Sequence, residues 1–590
     1  MVCKFYLRPF YLLIWTIFLV VMPGNGKAVE PSNLPILRID GDMHTEEIPR
    51  IAVDLANRFF VSVSADKTIR VWSLPSGHLV RTIHVPIAAG LEGKLQAVAI
   101  SSGGTLIAAS GITGKSWDSD QGYFIYLFDT STGLMRRSIG GLPSTVTHMA
   151  ISPDGRYLAA VLGDRGGLRV FRIGDGRLLR KDIHYLAGGS WVDFNKNGQL
   201  ITASLDGVLR LYDERFILVN KRQISTDFQP YSAVFSPDGN KIAVGFKDKQ
   251  MVAVFSADRL EVLYLPDVSA SIADFRTVCW SVDGLSLYGA GEHHDGRQRL
   301  IRWWKNAGQP SRSGLGEYLD LPATGSLLSQ IIALRGGGVL FAGHDPVLGA
   351  MDAEGFFVFR HSKPSATFSN WQEKLLISED GSQVGFPYDR FAKDSGVFSG
   401  QNIELIINKS DQSNLFPPLT VSSNLEVTGW FGEENRLKLN GRPLPLYEGE
   451  RSNALSIARD GRFFVVGTET HLRMYDQLGR RRWVVPASSP IDGVNISVDG
   501  RVIIAAHRDG TIRWYRVLTG DHYLSFFPHR DQKRWIAWTP DKFFSASFKG
   551  DELIGWHQNR GRTREARFYP ASAFKASYFK PERIRQLFVP

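Results

Sequence analysis

Short apolar runs alternate with turns rich in Asp and Gly along almost the whole chain. The clearest turns, an Asp followed by Gly or Lys, lie at Asp154, Asp238, Asp283, Asp380, Asp460, Asp499 and Asp541. Weaker turns lie at Asn57, Gly103, Asn197 and Gly337, and a degenerate one lies at Asn435. Apolar runs of about four to eight residues between such turns are typical of β-strands. The pattern therefore predicts twelve consecutive units of strand and turn.

The unit over residues 491–527 shows the predicted internal order. Apolar segments at 494–497, 502–506, 512–517 and 523–527 are separated by turns, and Gly510 supplies the positive φ that a tight hairpin needs. A repeat of about 40–45 residues with four strands is the signature of β-propeller blades. Propellers commonly have about four to eight blades. Twelve units thus predict an all-β protein with two propellers, each of six to seven blades.

Breaks in the repeat suggest the domain boundaries. A segment rich in Gly, Ser and Pro lies at 306–316 and a second break lies at 361–370; a boundary at the second gives a first propeller over 36–360 with about seven blades. A second propeller is expected over 371–558, with five recognisable units. Its last unit lacks a fourth strand, and residues 36–39 form a strand before the first unit. We therefore predict that residues 36–39 complete the C-terminal blade, because folded proteins avoid open strand edges.

The N-terminus has the pattern of a signal peptide. Lys4 and Arg8 precede an apolar run over 11–22, and Gly26 and Ala28 are the small residues that a signal peptidase reads. We expect cleavage after Ala28 and a periplasmic or secreted protein; an uncleaved N-terminal anchor is the alternative. Cleavage lowers the formal net charge from +10 to +7. This basic balance favours an anionic membrane surface or polysaccharide, and export argues against nucleic acid.

Residues 64–73 read Ser-Ala-Asp-Lys-Thr-Ile-Arg-Val-Trp-Ser. This segment closely resembles the signature of the WD-repeat family, with Ser73 in place of the usual Asp. The closing dipeptide recurs as Phe128-Asp129, Tyr212-Asp213 and Tyr475-Asp476. The resemblance implies a structural hydrogen-bond network of His44, Asp66, Trp72 and a strand serine, Ser64 or Ser62.

The C-terminal half is similar to a more specific group. Residues 534–540, 553–561 and 565–570 resemble segments of bacterial multidomain proteins in which propellers precede a caspase-like peptidase domain. This chain stops at Pro590, where the resemblance places the peptidase, so we expect that domain to be absent. Residues 559–590 are interpreted as a basic and aromatic C-terminal tail, with Arg560, Arg562, Arg564 and Arg567 as partner-docking candidates.

Catalytic and metal-binding patterns are sparse. No zinc, phosphate-loop or nucleophile-elbow motif occurs, and Cys279 lies inside an apolar strand without the flanks of a catalytic cysteine. His293, His294 and Asp295 have metal-ligand side chains, but a polar hairpin tip is the preferred interpretation. We predict no catalytic residue, no metal and no cofactor.

These observations predict an exported, non-catalytic propeller scaffold that binds a protein or an envelope component. One alternative is a regulatory or substrate-binding partner of a separately encoded caspase-like peptidase. Another is a propeller enzyme with a cofactor bound in its channel.

Overall fold

The computed structural model describes residues 30–114, 122–269, 271–309, 317–368, 372–389, 393–409, 411–431 and 436–589. The expected signal segment, residues 1–28, lies outside these ranges. The described residues form antiparallel β-sheets with a few short helices. No helix in these ranges is long and apolar enough to span a membrane.

A short N-terminal strand comes first, and seven four-stranded sheets follow it along the chain. The N-terminal strand is β1 (Ile36–Ile39). Sheet 1 contains β2 (Arg50–Val53), β3 (Phe59–Val63), β4 (Thr68–Ser73) and β5 (Leu79–His84). Sheet 2 contains β6 (Leu95–Ile100), β7 (Leu106–Gly111), β8 (Tyr123–Asp129) and β9 (Met135–Leu142). Sheet 3 contains β10 (Val146–Ile151), β11 (Tyr157–Leu162), β12 (Gly167–Arg172) and β13 (Leu178–Asp182).

Sheets 4 to 7 repeat this order. Sheet 4 contains β14 (Gly189–Phe194), β15 (Leu200–Ser204), β16 (Val208–Tyr212) and β17 (Leu218–Gln223). Sheet 5 contains β18 (Gln229–Phe235), β19 (Lys241–Lys247), β20 (Val252–Ser256) and β21 (Val262–Tyr264). Sheet 6 contains β22 (Thr277–Trp280), β23 (Leu287–Ala290), β24 (Arg299–Trp304) and β25 (Tyr318–Thr324). Sheet 7 contains β26 (Leu328–Ala333), β27 (Val339–Gly343), β28 (Val347–Met351) and β29 (Phe357–Ser362).

The seven sheets are arranged in a closed circle. The first strand of each sheet contacts the first strand of the next, and β26 of sheet 7 contacts β2 of sheet 1. Polar bonds support this closure, because Gln330 Oε1 accepts the Ile51 N–H at 3.0 Å and Ser329 Oγ donates to the Ile48 carbonyl at 2.6 Å. A buried apolar cluster that includes Phe60, Trp72, Leu340 and Leu348 fills the space between sheets 1 and 7.

The remaining sheets are less regular. Sheet 8 contains β30 (Leu376–Ser378), β31 (Gln383–Pro387), β32 (Ser395–Ser399), β33 (Glu404–Ile407) and β34 (Leu415–Phe416). Sheet 9 contains β35 (Val427–Thr428), β36 (Lys438–Leu439) and β37 (Arg442–Pro443). Sheet 10 contains β38 (Ser452–Ile457), β39 (Phe463–Thr468), β40 (His471–Asp476) and β41 (Arg481–Pro486). Sheet 11 contains β42 (Ile491–Ile496), β43 (Val502–His507), β44 (Ile512–Arg516), β45 (His522–Pro528), β46 (Trp535–Trp538) and β47 (Phe544–Ala546).

Sheet 12 and the C-terminal helices complete the chain. Sheet 12 joins β1 to β48 (Ile554–Gln558) and β49 (Arg567–Pro570). The α-helices are α1 (Lys575–Tyr578) and α2 (Pro581–Arg585). The 3-10 helices are Lys305–Gly308, Gln372–Lys374, Gly550–Leu553, Ala571–Phe574 and Gln586–Phe588.

Sheets 8 to 11 depart from the expected four-stranded units. Shared apolar clusters place sheet 8 against sheet 11, sheet 11 against sheet 10, and sheet 10 against sheet 9. In this group only sheet 10 has four strands, so the expectation of about twelve four-stranded blades is wrong for the described residues. Sheet 11 gains β46 and β47 because Phe526 and Phe527 of β45 pair with Ala537 and Ile536 of β46.

Sheet 12 pairs the N-terminal strand β1 with two strands of the C-terminal region. Ile36 pairs with His557 and Ile39 pairs with Ile554, so the N-terminal strand covers one edge of β48 while β49 covers the other. The sequence placed residues 36–39 in one blade with the strands near 535–557. The structure divides that unit, because β46 and β47 extend sheet 11 and the 3-10 helix Gly550–Leu553 separates them from β48.

Candidate functional site

A buried polar network connects the strands of sheet 1. His44 Nδ1 lies 2.8 Å from Asp66 Oδ2, and His44 Nε2 lies 2.7 Å from Ser62 Oγ. Trp72 Nε1 donates to the same Ser62 Oγ at 2.8 Å. Burial lowers the pKa of His44, an effect that the charge of Asp66 partly opposes. The network thus ties the segment before β2 to β3 and β4, a structural role.

The serine of this network is Ser62 and not Ser64, which the sequence analysis placed first. Successive side chains of a strand point to opposite faces, and Ser62 faces His44 and Trp72. Ser64 Oγ instead donates to the Glu46 carbonyl at 2.9 Å and accepts the Asp66 N–H at 3.0 Å. Ser64 therefore shapes the turn that presents Asp66.

Sheet 4 repeats the network with different side chains. Tyr185 Oη lies 2.7 Å from Thr202 Oγ1 and 3.1 Å from Tyr212 Oη. Asp206 accepts the Leu186 N–H at 3.0 Å, as Asp66 accepts the Thr45 N–H at 3.2 Å. The sequence analysis missed this copy, although Thr202 and Tyr212 are as many positions from Asp206 along the sequence as Ser62 and Trp72 are from Asp66.

A second recurring feature is an arginine in the third strand of many sheets, buried in five of them and half-buried at Arg513. Each follows an apolar residue of that strand, and the set is Arg70, Arg169, Arg210, Arg302, Arg473 and Arg513. Five pair with a carboxylate: Arg70 with Asp40, Arg210 with Asp206, Arg302 with Asp320, Arg473 with Glu450 and Arg513 with Asp509. Arg169 donates to the carbonyls of Gly166 and Leu168. These charges are satisfied inside the fold, as buried charges require.

The candidate metal ligands do not converge. His293 is buried, with Nδ1 2.9 Å from Ser271 Oγ and Nε2 3.2 Å from Asp320 Oδ1. His294 Nδ1 accepts the Gly296 N–H, and Asp295 Oδ1 accepts the N–H groups of the hairpin tip. Across the described part of the chain, no group of three or more His, Cys, Asp or Glu side chains could hold a metal ion. The segment therefore has the geometry of a polar hairpin.

Cys279 lies among the apolar side chains between sheets 6 and 7. Burial raises the pKa of its thiol well above the ordinary value. A thiol with a raised pKa is a poor nucleophile because the thiolate is the reactive form. Its surroundings match those of a structural cysteine.

The four candidate docking arginines of the tail differ in their surroundings. Arg560 pairs with Glu565 at 2.6 Å, and Arg562 lies 3.5 Å from Glu30. Arg564 and Arg567 are exposed. The tail is part of the fold, because β49 pairs with β48 and the fully buried Ile584 of α2 packs against the cluster of sheets 8 and 11.

A charged cavity of about 360 Å³ lies where sheets 1, 11 and 12 meet. Its charges already have partners in the fold. Lys67 Nζ donates to the carbonyls of Ala88 at 3.0 Å and Gly90 at 2.8 Å, and Arg38 donates to the Asp66 carbonyl at 2.8 Å. Burial lowers the pKa of Lys67 well below its ordinary value. These contacts indicate a structural junction between the closed circle and the C-terminal sheets.

The fourth strands of sheets 3, 4 and 5 expose apolar and basic side chains on the outer surface. Each ends its sheet and pairs on one side only. They expose apolar side chains at 40 to 54 % of full accessibility: Leu178, Leu218, Val219, Val262 and Leu263. Exposed basic residues lie beside them: Arg180, Lys181, Lys221 and Arg222. We name these nine residues the outer-strand surface. The periodicity and the motifs of the sequence did not predict the outer-strand surface.

Comparison with known families gives one match. Residues 41–73 and 185–213 match the family described as WD domain, G-beta repeat. The two stretches contain the polar networks around Asp66 and Asp206. No curated protein matches the chain. WD-repeat propellers are typically non-catalytic, and WD repeats suggest a protein-interaction scaffold. The chain is therefore an all-β protein in which two stretches match the WD-repeat family.

Proposed function

We propose that this protein is an exported, non-catalytic scaffold that holds a protein partner on the outer-strand surface. In this proposal sheets 1 to 7 are the blades of one seven-bladed propeller, and sheets 8 to 11 are an incomplete second set. The match to WD repeats and the circle of contacts among the first strands support that assignment.

The observation that carries the proposal is the row of exposed apolar groups on three consecutive outer strands, two of which, β13 and β17, also carry exposed basic groups. Exposed apolar side chains grouped on a surface mark interaction sites. Lysine and arginine on open edges discourage pairing between identical strands, because like charges would meet. A partner with acidic and apolar groups would be attracted where a second copy would be repelled.

Binding by such a surface is tested by affinity capture from the native envelope fraction. The test variant is Val219→Asp/Val262→Asp, which places two charges at the centre of the outer-strand surface. The control is Leu518→Asp, because Leu518 is 90 % exposed on a turn of sheet 11, away from that surface.

We expect the wild-type protein and the control to capture the same partner, and the double variant to lose it. Equal capture by all three proteins would contradict the proposed surface. Identification of a caspase-like peptidase as the captured protein would favour the regulatory alternative that the sequence resemblance suggests.

A further inference from the structure

A second cavity, of about 590 Å³, lies where sheet 7, the segment that follows it and sheet 8 meet. Its walls include Arg360 of β29, Lys363 of the linking segment, Tyr388 after β31 and Arg530 after β45. We name it the junction cavity. Its volume falls within the range of about 300–1,000 Å³ that is typical of small-molecule sites.

Three cations line the junction cavity. The side chains of Arg360 and Arg530 are exposed at the mouth of this cavity and make no hydrogen bond or ion pair with any residue in the described ranges. Lys363 is only 5 % exposed, and its Nζ donates to the Arg508 carbonyl at 2.6 Å. Burial and then the charge of Arg530 lower the pKa of Arg360. In the cavity between sheets 1, 11 and 12, by contrast, both Arg38 and Lys67 donate to carbonyl groups of the fold.

Neutral polar groups complete the lining. Tyr388 is 6 % exposed, and its Oη has no hydrogen-bond partner among the described residues, which is costly for a buried hydroxyl. Ser362 and Thr367 add hydroxyl groups, while Asp345 and Asp389 add two carboxylates. The cations outnumber the carboxylates by one.

We propose that the junction cavity binds a small hydroxylated molecule that carries a tetrahedral oxyanion, a phosphate or sulfate ester. Guanidinium groups bind such oxyanions through paired N–H donors. The anion would relieve the repulsion between Arg360 and Arg530, and the remaining volume would hold a hydroxylated group near Tyr388 and the Ser and Thr hydroxyls. A ligand here would touch both the closed circle and the C-terminal sheets.

Calorimetric titration of the mature protein tests this with glucose 6-phosphate, glucose 6-sulfate, inorganic phosphate and neutral glucose. We expect the esters to bind about tenfold more tightly than inorganic phosphate, because they also use the hydroxyl-lined part. Glucose should not bind. The stronger ester identifies which oxyanion the site prefers.

The variant Arg360→Gln/Arg530→Gln should lose ester binding, and Tyr388→Phe should weaken it several-fold while preserving the packing of the ring. Arg567→Gln removes one exposed arginine outside the cavity and should bind as wild type does. Binding that persists unchanged in both cavity variants, or no ester binding at millimolar concentration, would overturn the proposal. Thermal melting without ligand verifies that each variant is folded.

Discussion

At the scale of single residues, the fold depends on buried polar groups whose partners come from neighbouring strands. The Ser62 hydroxyl is the partner of two such groups: it accepts a hydrogen bond from Trp72 Nε1 and contacts His44 Nε2. A buried donor left without a partner costs about 1–3 kcal/mol.

Ser62→Ala should therefore lower the free energy of unfolding by about 2 kcal/mol. Ser73→Ala is the control, because Ser73 is half-buried at the end of β4 and its hydroxyl bonds to Ser76 Oγ and the His78 carbonyl near the surface. It should change stability by less than about 0.5 kcal/mol. Urea unfolding of both variants gives the comparison, and equal effects would contradict the network's role.

The Arg473–Glu450 pair allows a similar test in sheet 10. Both side chains are almost fully buried, and Glu450 also binds Thr470 at 2.8 Å. Arg473→Ala should cost about 3–5 kcal/mol, because it leaves a buried carboxylate without its cation.

Arg480→Ala is the matched control for that substitution. Arg480 pairs with Asp476 at 2.7 Å but is 65 % exposed, so its loss should cost less than about 1 kcal/mol. Thermal and urea unfolding of the Arg473→Ala and Arg480→Ala variants measure the stability that each substitution removes. A loss for Arg473→Ala as small as that of the control would show that the buried pair contributes little.

At the scale of elements, β1 connects sheet 1 to the C-terminal sheet 12. It pairs along its length with β48, and Arg38 and Asp40 extend its contacts to Asp66 and Arg70 of sheet 1. Asn559, just after β48, adds hydrogen bonds to Ser32 and Ile87 at 2.8 and 2.9 Å.

Deletion of residues 36–39 should destabilise the C-terminal region by several kcal/mol, since it removes strand pairing and apolar contacts with Leu37 and Ile39. Hydrogen exchange of the amides of Ile554–Gln558 should accelerate strongly. Leu34→Ala is the control, because Leu34 is exposed and precedes the strand. Unchanged protection of β48 in the deletion variant would refute this role.

The sequence predicted some elements well because their local signals coincide with their packing. In the unit over 491–527, apolar runs, Asp-Gly turns and β-branched residues agree, and β42 to β45 lie close to the predicted segments. The short strands near Val427 and Lys438 carry little apolar pattern, so sheet 9 was not recognisable beyond a degenerate turn. The junction cavity escaped prediction because Arg360, Tyr388 and Arg530 are far apart in the chain and only tertiary packing brings them together.

At the scale of the whole molecule, buried histidines link stability to pH. Burial lowers the pKa of His522 to about 4, lowers that of His557 to about 2, and lowers that of His148 well below its ordinary value. In the unfolded chain their pKa is about 6.5, so below that pH the unfolded state binds protons that the folded state does not. These histidines therefore do not lower the free energy of unfolding above about pH 6.5, and they lower it progressively as the pH falls below that value.

The melting temperature should therefore fall between about pH 7.5 and about pH 5. Asp193 and Glu46 act in the opposite direction, because burial raises the pKa of Asp193 to about 7 and also raises that of Glu46, but these are two groups against several imidazoles. Scanning calorimetry at several pH values in this range, at constant ionic strength, measures the melting temperature. A melting temperature that is constant or rises toward acid pH would contradict the expected balance.

The central claim is that a circle of seven sheets presents its outer strands to a protein partner. The most direct measurement is hydrogen–deuterium exchange of the mature protein with and without the partner captured from its native fraction. We expect exchange to slow in β13, β17 and β21, while the first strands β10, β14 and β18 keep their protection. Slowed exchange confined to the C-terminal tail or sheets 8 to 11, with none in those three outer strands, would contradict the claim.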